Sequence, residues 1–164
     1  MKISPASVLL ALFASALPLS AHDHWLAPAK FRGAPGERLD LTLCVGHPSQ
    51  FELQIRDPRR IVRFESVGPK GARSIPGVDG KSPAGIFRPS EAGLYWIAYQ
   101  SDHAFVEIEA AKYAQYLKEE GLEDVLAERE QRGESALPGR DSYARFDKAL
   151  LRIGDAPADG FERV

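Results

Sequence analysis

The stretch ERLDLTLCV, residues 37–45, decides the fold class of this chain. Its apolar side chains occupy every second position: Leu39, Leu41, Leu43 and Val45. The positions between them hold Asp40, Thr42 and Cys44. Successive side chains on a β-strand point to opposite faces, so a period of two predicts a half-buried strand.

The same alternation recurs along most of the chain. It predicts strands in FELQI (51–55), IVRFESV (61–67), AGIFR (84–88), LYWIAYQ (94–100) and HAFVEIE (103–109). Turn signals such as Asp57-Pro58-Arg59 and a loop-rich stretch over residues 68–80 separate these strands. LYWIAYQ has large apolar residues on both faces, which predicts a central strand covered on both sides. Short strands with frequent turns predict a β-sandwich of the immunoglobulin or prealbumin type.

A helical pattern interrupts the strands late in the chain. In AAKYAQYLKEEG (110–121), Tyr113, Tyr116 and Leu117 share one stripe, and Gly121 follows as a C-terminal cap. A second short helix is expected from residue 122, followed by a loop over residues 135–140 and a last strand over residues 148–153. We therefore predict a mainly β fold with one or two short helices inserted late.

The first 21 residues have the layout of a secretory signal peptide. Lys2 supplies a positive start, and the apolar run from Val8 to Leu17 is too short to span a bilayer. Ala21 ends a small-residue cleavage site. We predict removal of residues 1–21, export to the periplasm, one β-sandwich domain over residues 22–154 and a tail over residues 155–164.

Composition and motifs restrict the functional classes. The formal net charge is −2 and no basic patch stands out, so we expect no nucleic-acid partner. No second apolar run is long enough for a membrane span, so we do not expect an integral membrane protein. No nucleophile elbow, phosphate-binding loop, HExxH motif or repeated CxxC occurs, so we expect no enzymatic activity. Cys44 is the single cysteine and is expected to be a buried strand thiol.

Two of the four histidines lie in AHDHWL (21–26), at the expected mature N-terminus. After cleavage, His22 would offer its α-amine and its imidazole Nδ1 to one metal ion, the arrangement called a histidine brace. Alternatively, His24 in third position would bind an ion together with the amine and two backbone amides. Both modes suit Cu(II) or Ni(II), and they compete for the same amine. Trp25 is expected to be a core anchor of the first strand.

Two further histidines are candidates for a distant ligand. His47 in VGHPSQF and His103 in QSDHAF each lie at a strand end, and strand ends can meet on one rim of a sandwich. Asp102 could hydrogen-bond a ligand histidine and fix its tautomer. The predicted metal ligands are therefore His22, His24, His47 and His103.

Longer segments add a family resemblance. AHDHWL, VGHPSQFEL (45–53), GLYWIAYQSDHAFVEIEAAKYAQYLKEEGLEDVLAERE (93–130) and GRDSYARFDKALLRIGD (139–155) resemble a family of bacterial periplasmic proteins of unknown function. That family is described as NikM-like, after the periplasmic component of nickel or cobalt uptake systems. The resemblance implies a β-sandwich, export and binding of nickel or cobalt. It also implies His22, His24 and His47 as ligands, with His103 as a further one.

Two hypotheses of function follow from the sequence. In the first, a periplasmic protein captures Ni(II) or Co(II), with Cu(II) as the alternative, and passes the ion to a membrane transporter. In the second, a β-sandwich without metal is an interaction module of the cell envelope. The helices after Glu109 would then supply its contact surface.

Overall fold

A computed structural model describes residues 23–157, which fold into a β-sandwich that carries a helical arm. The strands are β1 Asp23–Pro28, β2 Arg32–Gly33, β3 Leu39–His47, β4 Gln50–Gln54, β5 Ile61–Gly68, β6 Gly71–Ser74, β7 Gly85–Phe87, β8 Gly93–Ser101, β9 Ala104–Ile108, β10 Gly139–Tyr143 and β11 Phe146–Ile153. The helices are α1 Ala110–Glu119 and α2 Glu123–Gln131, and a 3-10 turn spans Pro58–Arg60. The predicted fold class is confirmed. The expected signal peptide, His22 and most of the expected tail lie outside the described residues.

Two sheets pack face to face. The first sheet has the order β1-β3-β4, and β7 pairs with the start of β3 beyond the end of β4. The second sheet has the order β2-β11-β8-β5-β6. The leucines of β3 face inward as predicted, and Leu39 and Leu41 are fully buried. They form one core with inward residues of the second sheet such as Ile97 and Leu151.

Strand β8 is central in the second sheet, as its sequence predicts, but only one of its faces is covered by a packed layer. Tyr95, Ile97 and Tyr99 are buried toward the first sheet. Leu94, Trp96 and Ala98 point outward and are only half-buried. The expectation of cover on both faces is therefore wrong, because the outward residues remain partly exposed.

The helical arm grows out of the β8–β11 pair. Strands β9 and β10 form an antiparallel ribbon that leaves the second sheet at Ser101 and Arg145, and α1 and α2 lie between them in the chain. The amide of Ser101 donates to the Arg145 carbonyl oxygen over 3.0 Å, and the Arg145 amide donates to Ser101 Oγ over 2.9 Å. Gly121 follows α1 with φ 69°, which confirms the expected cap.

Other expectations need correction. Trp25 is not in the core, because the inward positions of β1 are His24, Leu26 and Pro28. Trp25 instead contacts Phe51 edge-on at 5.3 Å on the outer face of the first sheet. Strand β6 lies within the expected loop, and all four of its residues are exposed, so no apolar period marked it. No helix in the part of the chain that the structure describes combines the length and apolarity needed to cross a membrane.

Candidate metal site

A histidine–carboxylate pair links the two sheets at one end of the core. His24 Nδ1 lies 2.8 Å from Asp147 Oδ2, and the two side chains are 10% and 5% exposed. Neither atom makes a hydrogen bond of good geometry, so the contact is a close polar approach rather than a linear bond. Strand alternation creates the pair. Asp147 continues the inward row of Ala149 and Leu151 on β11, and His24 continues that of Leu26 on β1.

The Tyr99 side chain packs against this pair. Its ring stacks on the His24 imidazole with centroids 5.9 Å apart, and Tyr99 is the β8 residue paired with Asp147. Burial raises the pKa of the Tyr99 hydroxyl, and the negative charge of Asp147 raises it further. Tyr99 therefore stays a neutral phenol at physiological pH and holds the imidazole plane by stacking.

His47 lies near the same end of the first sheet. It ends β3, two residues after Val45, which is the residue paired with His24. Its Nε2 is buried and has no hydrogen-bond partner among residues 23–157. Gly46 allows the tight turn into β4, because its φ is 129° and a Cβ there would lie 2.6 Å from the Gln50 carbonyl oxygen. A buried ring nitrogen without a partner is a candidate ligand.

The structure does not place His103 with the other histidines in a ligand group. His103 is exposed at the base of the arm, and its carbonyl oxygen accepts a hydrogen bond from Arg60 over 3.4 Å. Asp102, expected to support a histidine, instead pairs with the Arg60 guanidinium at 3.0 Å. Within the described residues, no group of three or more His, Cys, Asp or Glu side chains is arranged to hold a metal ion.

Sequence reasoning missed Asp147, the carboxylate that does contact a histidine. Its signal was present in FDKALLRI, because counting back by twos from Ile153, Leu151 and Ala149 reaches position 147. A carboxylate on the inward row of a strand is costly to bury alone, so it requires a partner on the facing sheet. That partner is His24.

A cavity of about 300 Å³ opens beside His24, where the arm leaves the sandwich. Its wall includes Tyr99 and Ser101 from β8, and Arg60 and Arg145 from the loops next to β5 and β11. Cys44 is buried as expected but lies on the outward-facing row of β3, opposite Trp25. Burial raises the pKa of the Cys44 thiol, so the thiol is a poor ligand in this position.

The fold and the site define a β-sandwich protein with a buried histidine–carboxylate pair at one end of its core. The chain belongs to the family described as Domain of unknown function (DUF4198), which matches residues 19–164. No curated protein and no solved structure matches the chain significantly. Because the family description states no activity, the function has to be argued from the site.

Proposed function

We propose that this protein is a periplasmic carrier that binds Ni(II) or Co(II), with Cu(II) as the alternative, and passes the ion to a membrane transporter. The observation that supports it best is the buried pair of His24 and Asp147. Histidines that bind metals commonly place a carboxylate on one ring nitrogen, which orients the ring and makes the other nitrogen a better donor. Binding and release need no covalent chemistry.

In this proposal His24 coordinates through Nε2. Asp147 contacts Nδ1, which favours the tautomer that carries its proton on Nδ1 and leaves a lone pair on Nε2. No hydrogen bond among the described residues occupies Nε2, and His24 borders the open cavity. Asp147 therefore holds the Nδ1 side of the ring, and Nε2 is available to a metal ion.

His47 and His22 supply the remaining donors in the proposal. Asp23 is paired with Gly46, the residue before His47. Asp23 directly follows His22 in the sequence, and the Nε2 of His47 has no partner among the described residues. We therefore propose that His22 and His47 bind the same ion. His103, which is exposed and bound only through its carbonyl oxygen, is left out of this ligand set.

The strand pairing favours the histidine brace over binding through His24 in third position. That second mode needs the amide nitrogens of Asp23 and His24 to turn toward one ion. Both residues are paired with β3, at Gly46 and Val45, and successive amides of a strand point in opposite directions. The brace uses only the terminal amine and side chains, so β1 keeps its pairing.

The donor set also suits the proposed ions. Imidazole and amine nitrogens prefer Ni(II), Co(II) and Cu(II) to hard ions such as Mg(II). These nitrogens bind only when deprotonated, so we expect the affinity to fall as the pH is lowered. The resemblance of several segments to NikM-like proteins supports nickel or cobalt as the cargo.

The test is a titration of the exported protein, after mass spectrometry has confirmed His22 as its first residue. Ni(II), Co(II) and Cu(II) are added separately, and the d–d absorption is followed. We expect one equivalent of tight binding in the unmodified protein and its loss in H22A and H47A. Asp147→Asn should weaken binding by about 10–100-fold, because the supporting carboxylate charge is lost. His103→Ala is the matched control and should bind like the unmodified protein.

One outcome would contradict the carrier function, and another would contradict its ligand set. A folded protein that begins at His22 and binds none of the three ions would exclude it. Binding that is lost in His103→Ala but kept in His47→Ala would overturn the proposed ligand set. Circular dichroism of each variant separates loss of a ligand from loss of the fold.

The second candidate function is an interaction module of the cell envelope, and the arm favours it. Phe105 on β9 is 83% exposed, and Leu122 and Leu137 beside the helices are 41% and 55% exposed. Large exposed apolar side chains on a projecting element are typical of a contact surface. The absence of metal binding in the titration, with the arm intact, would leave this candidate as the better one.

A further inference from the structure

The cavity beside His24 combines charged and apolar walls in a way that selects a class of ligand. Arg60, Arg145 and Asp57 contribute charge, while Leu43, Ile55 and Ala104 contribute hydrocarbon. Its volume of about 300 Å³ is at the lower end of the range for small-molecule sites. A ligand that uses both kinds of wall must carry a polar and an apolar part.

Most of the charges at the cavity already have partners. The Asp57 carboxylate accepts hydrogen bonds from the Arg59 amide, Nε and Nη2 at 2.9–3.1 Å. Arg60 pairs with Asp102 at 3.0 Å. By contrast, no carboxylate among residues 23–157 forms an ion pair with Arg145. Of the two arginines on this cavity wall, Arg145 is the one that lacks an ion-pair partner within the described chain.

Arg145 is also held in place. Its backbone is fixed by the two hydrogen bonds to Ser101, and its guanidinium lies 4.6 Å from the centre of the Tyr143 ring. Stacking on an aromatic ring limits the conformations of an arginine without neutralising its charge. A guanidinium held in this way can receive a carboxylate through two parallel hydrogen bonds.

We propose that this cavity binds a small organic monocarboxylate, with Arg145 receiving the carboxylate and the hydrocarbon part packing on Leu43 and Ile55. A second negative charge would face the hydrocarbon of Leu43 and Ile55, which selects a monocarboxylate over a dicarboxylate or inorganic phosphate. The apolar wall selects an organic anion over an inorganic one. This binding does not require a metal ion, although His24, a ligand in the proposed carrier function, lines the same cavity.

The experiment is isothermal titration calorimetry of the full exported chain with hexanoate. Succinate, inorganic phosphate and hexylamine are titrated as comparisons, and each titration is run with and without one equivalent of Ni(II). We expect saturable binding of one hexanoate, weaker binding of succinate and phosphate, and none of hexylamine. Hexanoate should bind in the absence of Ni(II). Ni(II) at His24 should only raise the affinity, because it adds positive charge to the same cavity.

Variants identify the residue that receives the carboxylate. Arg145→Gln removes the charge but keeps a polar side chain, and it should weaken hexanoate binding about tenfold or more, because a charged hydrogen-bond pair is lost. Arg145→Ala should do the same. Arg140→Ala is the matched control, because Arg140 is exposed and pairs with Glu107 on the ribbon. It should leave the affinity unchanged.

Several results would overturn the proposal. They are no hexanoate binding by the unmodified protein, unchanged affinity in a folded Arg145→Gln, or phosphate binding as tight as that of hexanoate. Hexanoate binding that appears only with Ni(II) would also overturn it, because the anion would then be a ligand of the ion. A failure of Ni(II) binding with hexanoate binding intact would reject the carrier and leave this inference standing.

Discussion

At the scale of single residues, the contact between His24 and Asp147 is the most informative feature of the molecule. Both side chains are nearly buried, and they come from opposite sheets. A buried carboxylate without a partner is strongly unfavourable, so the pair has to be kept or removed as a unit. The same property that makes the pair a candidate for metal support also makes it a structural link.

A double-mutant cycle measures this link. His24→Ala and Asp147→Ala should each destabilise the protein, because each leaves the other polar group buried without its partner. The double variant should be less destabilised than the sum of the two, with a coupling free energy of about 0.5–3 kcal/mol. Urea denaturation of metal-free protein, followed by circular dichroism, gives the four free energies of unfolding.

The exposed pair of Arg140 and Glu107 on the arm serves as the control cycle. Its side chains are 85% and 58% exposed, and surface pairs contribute at most about 1 kcal/mol. A coupling at His24 and Asp147 no larger than that of this control would show that the two groups do not depend on each other.

At the scale of elements, the sequence predicted the features that follow from the periodicity of strands and helices. The inward leucines of β3, the helix stripe of Tyr113 and Leu117, and the cap at Gly121 are all confirmed. Each of these features depends on neighbours within a few residues of the chain. Local pattern was therefore enough to identify them.

Features that depend on the facing sheet could not be read in the same way. Whether Trp25 or Leu26 points inward depends on the register of β1 against β3, because a shift by one residue exchanges the two faces. The partner of Asp102 lies in the 3-10 turn and that of Asp147 on β1, both far away in the chain, so the sequence offered no reason to prefer one carboxylate over the other. The sequence selected His24 and His47 as candidate residues, whereas Asp147, the carboxylate beside His24, was identified only in the structure.

The arm provides a prediction at this scale. A Cβ at Gly139 on β10 would lie 2.1 Å from the Tyr113 ring on α1, so glycine is what lets helix and ribbon pack together. Gly139→Ala should separate α1 from β10 at a cost of about 1–3 kcal/mol, as overpacking of a buried contact does. Amide hydrogen exchange should show faster exchange in α1 and unchanged exchange in β8. Ser142→Ala, an exposed change on the same strand, is the control.

Unchanged protection of α1 in Gly139→Ala would show that the helix is held by other contacts. The cation–π contact between Arg129 and the Tyr113 ring, with 5.1 Å from Cζ to the centroid, is the next candidate. Faster exchange in β8 would show instead that the arm and the sandwich unfold together.

At the scale of the whole molecule, titratable groups limit the pH range of stability from both sides. On the acid side, the pKa values of Glu37, Asp57 and Glu109 are lowered by hydrogen bonds from Lys30, from Arg59 and from the backbone at the start of α1. The folded chain holds these protons less tightly than the unfolded chain. Their contribution is therefore present above the ordinary carboxyl pKa and is lost as the pH falls through the lowered values.

Buried groups determine how the stability falls at high pH. Burial raises the pKa values of Cys44, Tyr95 and Tyr99, so the folded chain holds these protons more tightly than the unfolded chain. Their contribution is present below the ordinary pKa values and is lost as the pH rises through the raised ones. We expect the free energy of unfolding to fall above about pH 9, by about 1.4 kcal/mol per unit of pKa difference. Urea denaturation across this range, with tyrosinate absorbance, measures it.

Tyr99→Phe tests which group is responsible for the alkaline loss. Phenylalanine keeps the ring that stacks on His24 and removes the hydroxyl, so the fall in stability above pH 9 should become shallower. Tyr143→Phe is the matched control, because that side chain is 37% exposed. If the free energy of unfolding falls with the same slope above pH 9 in Tyr99→Phe as in the unmodified protein, other groups are responsible for the loss.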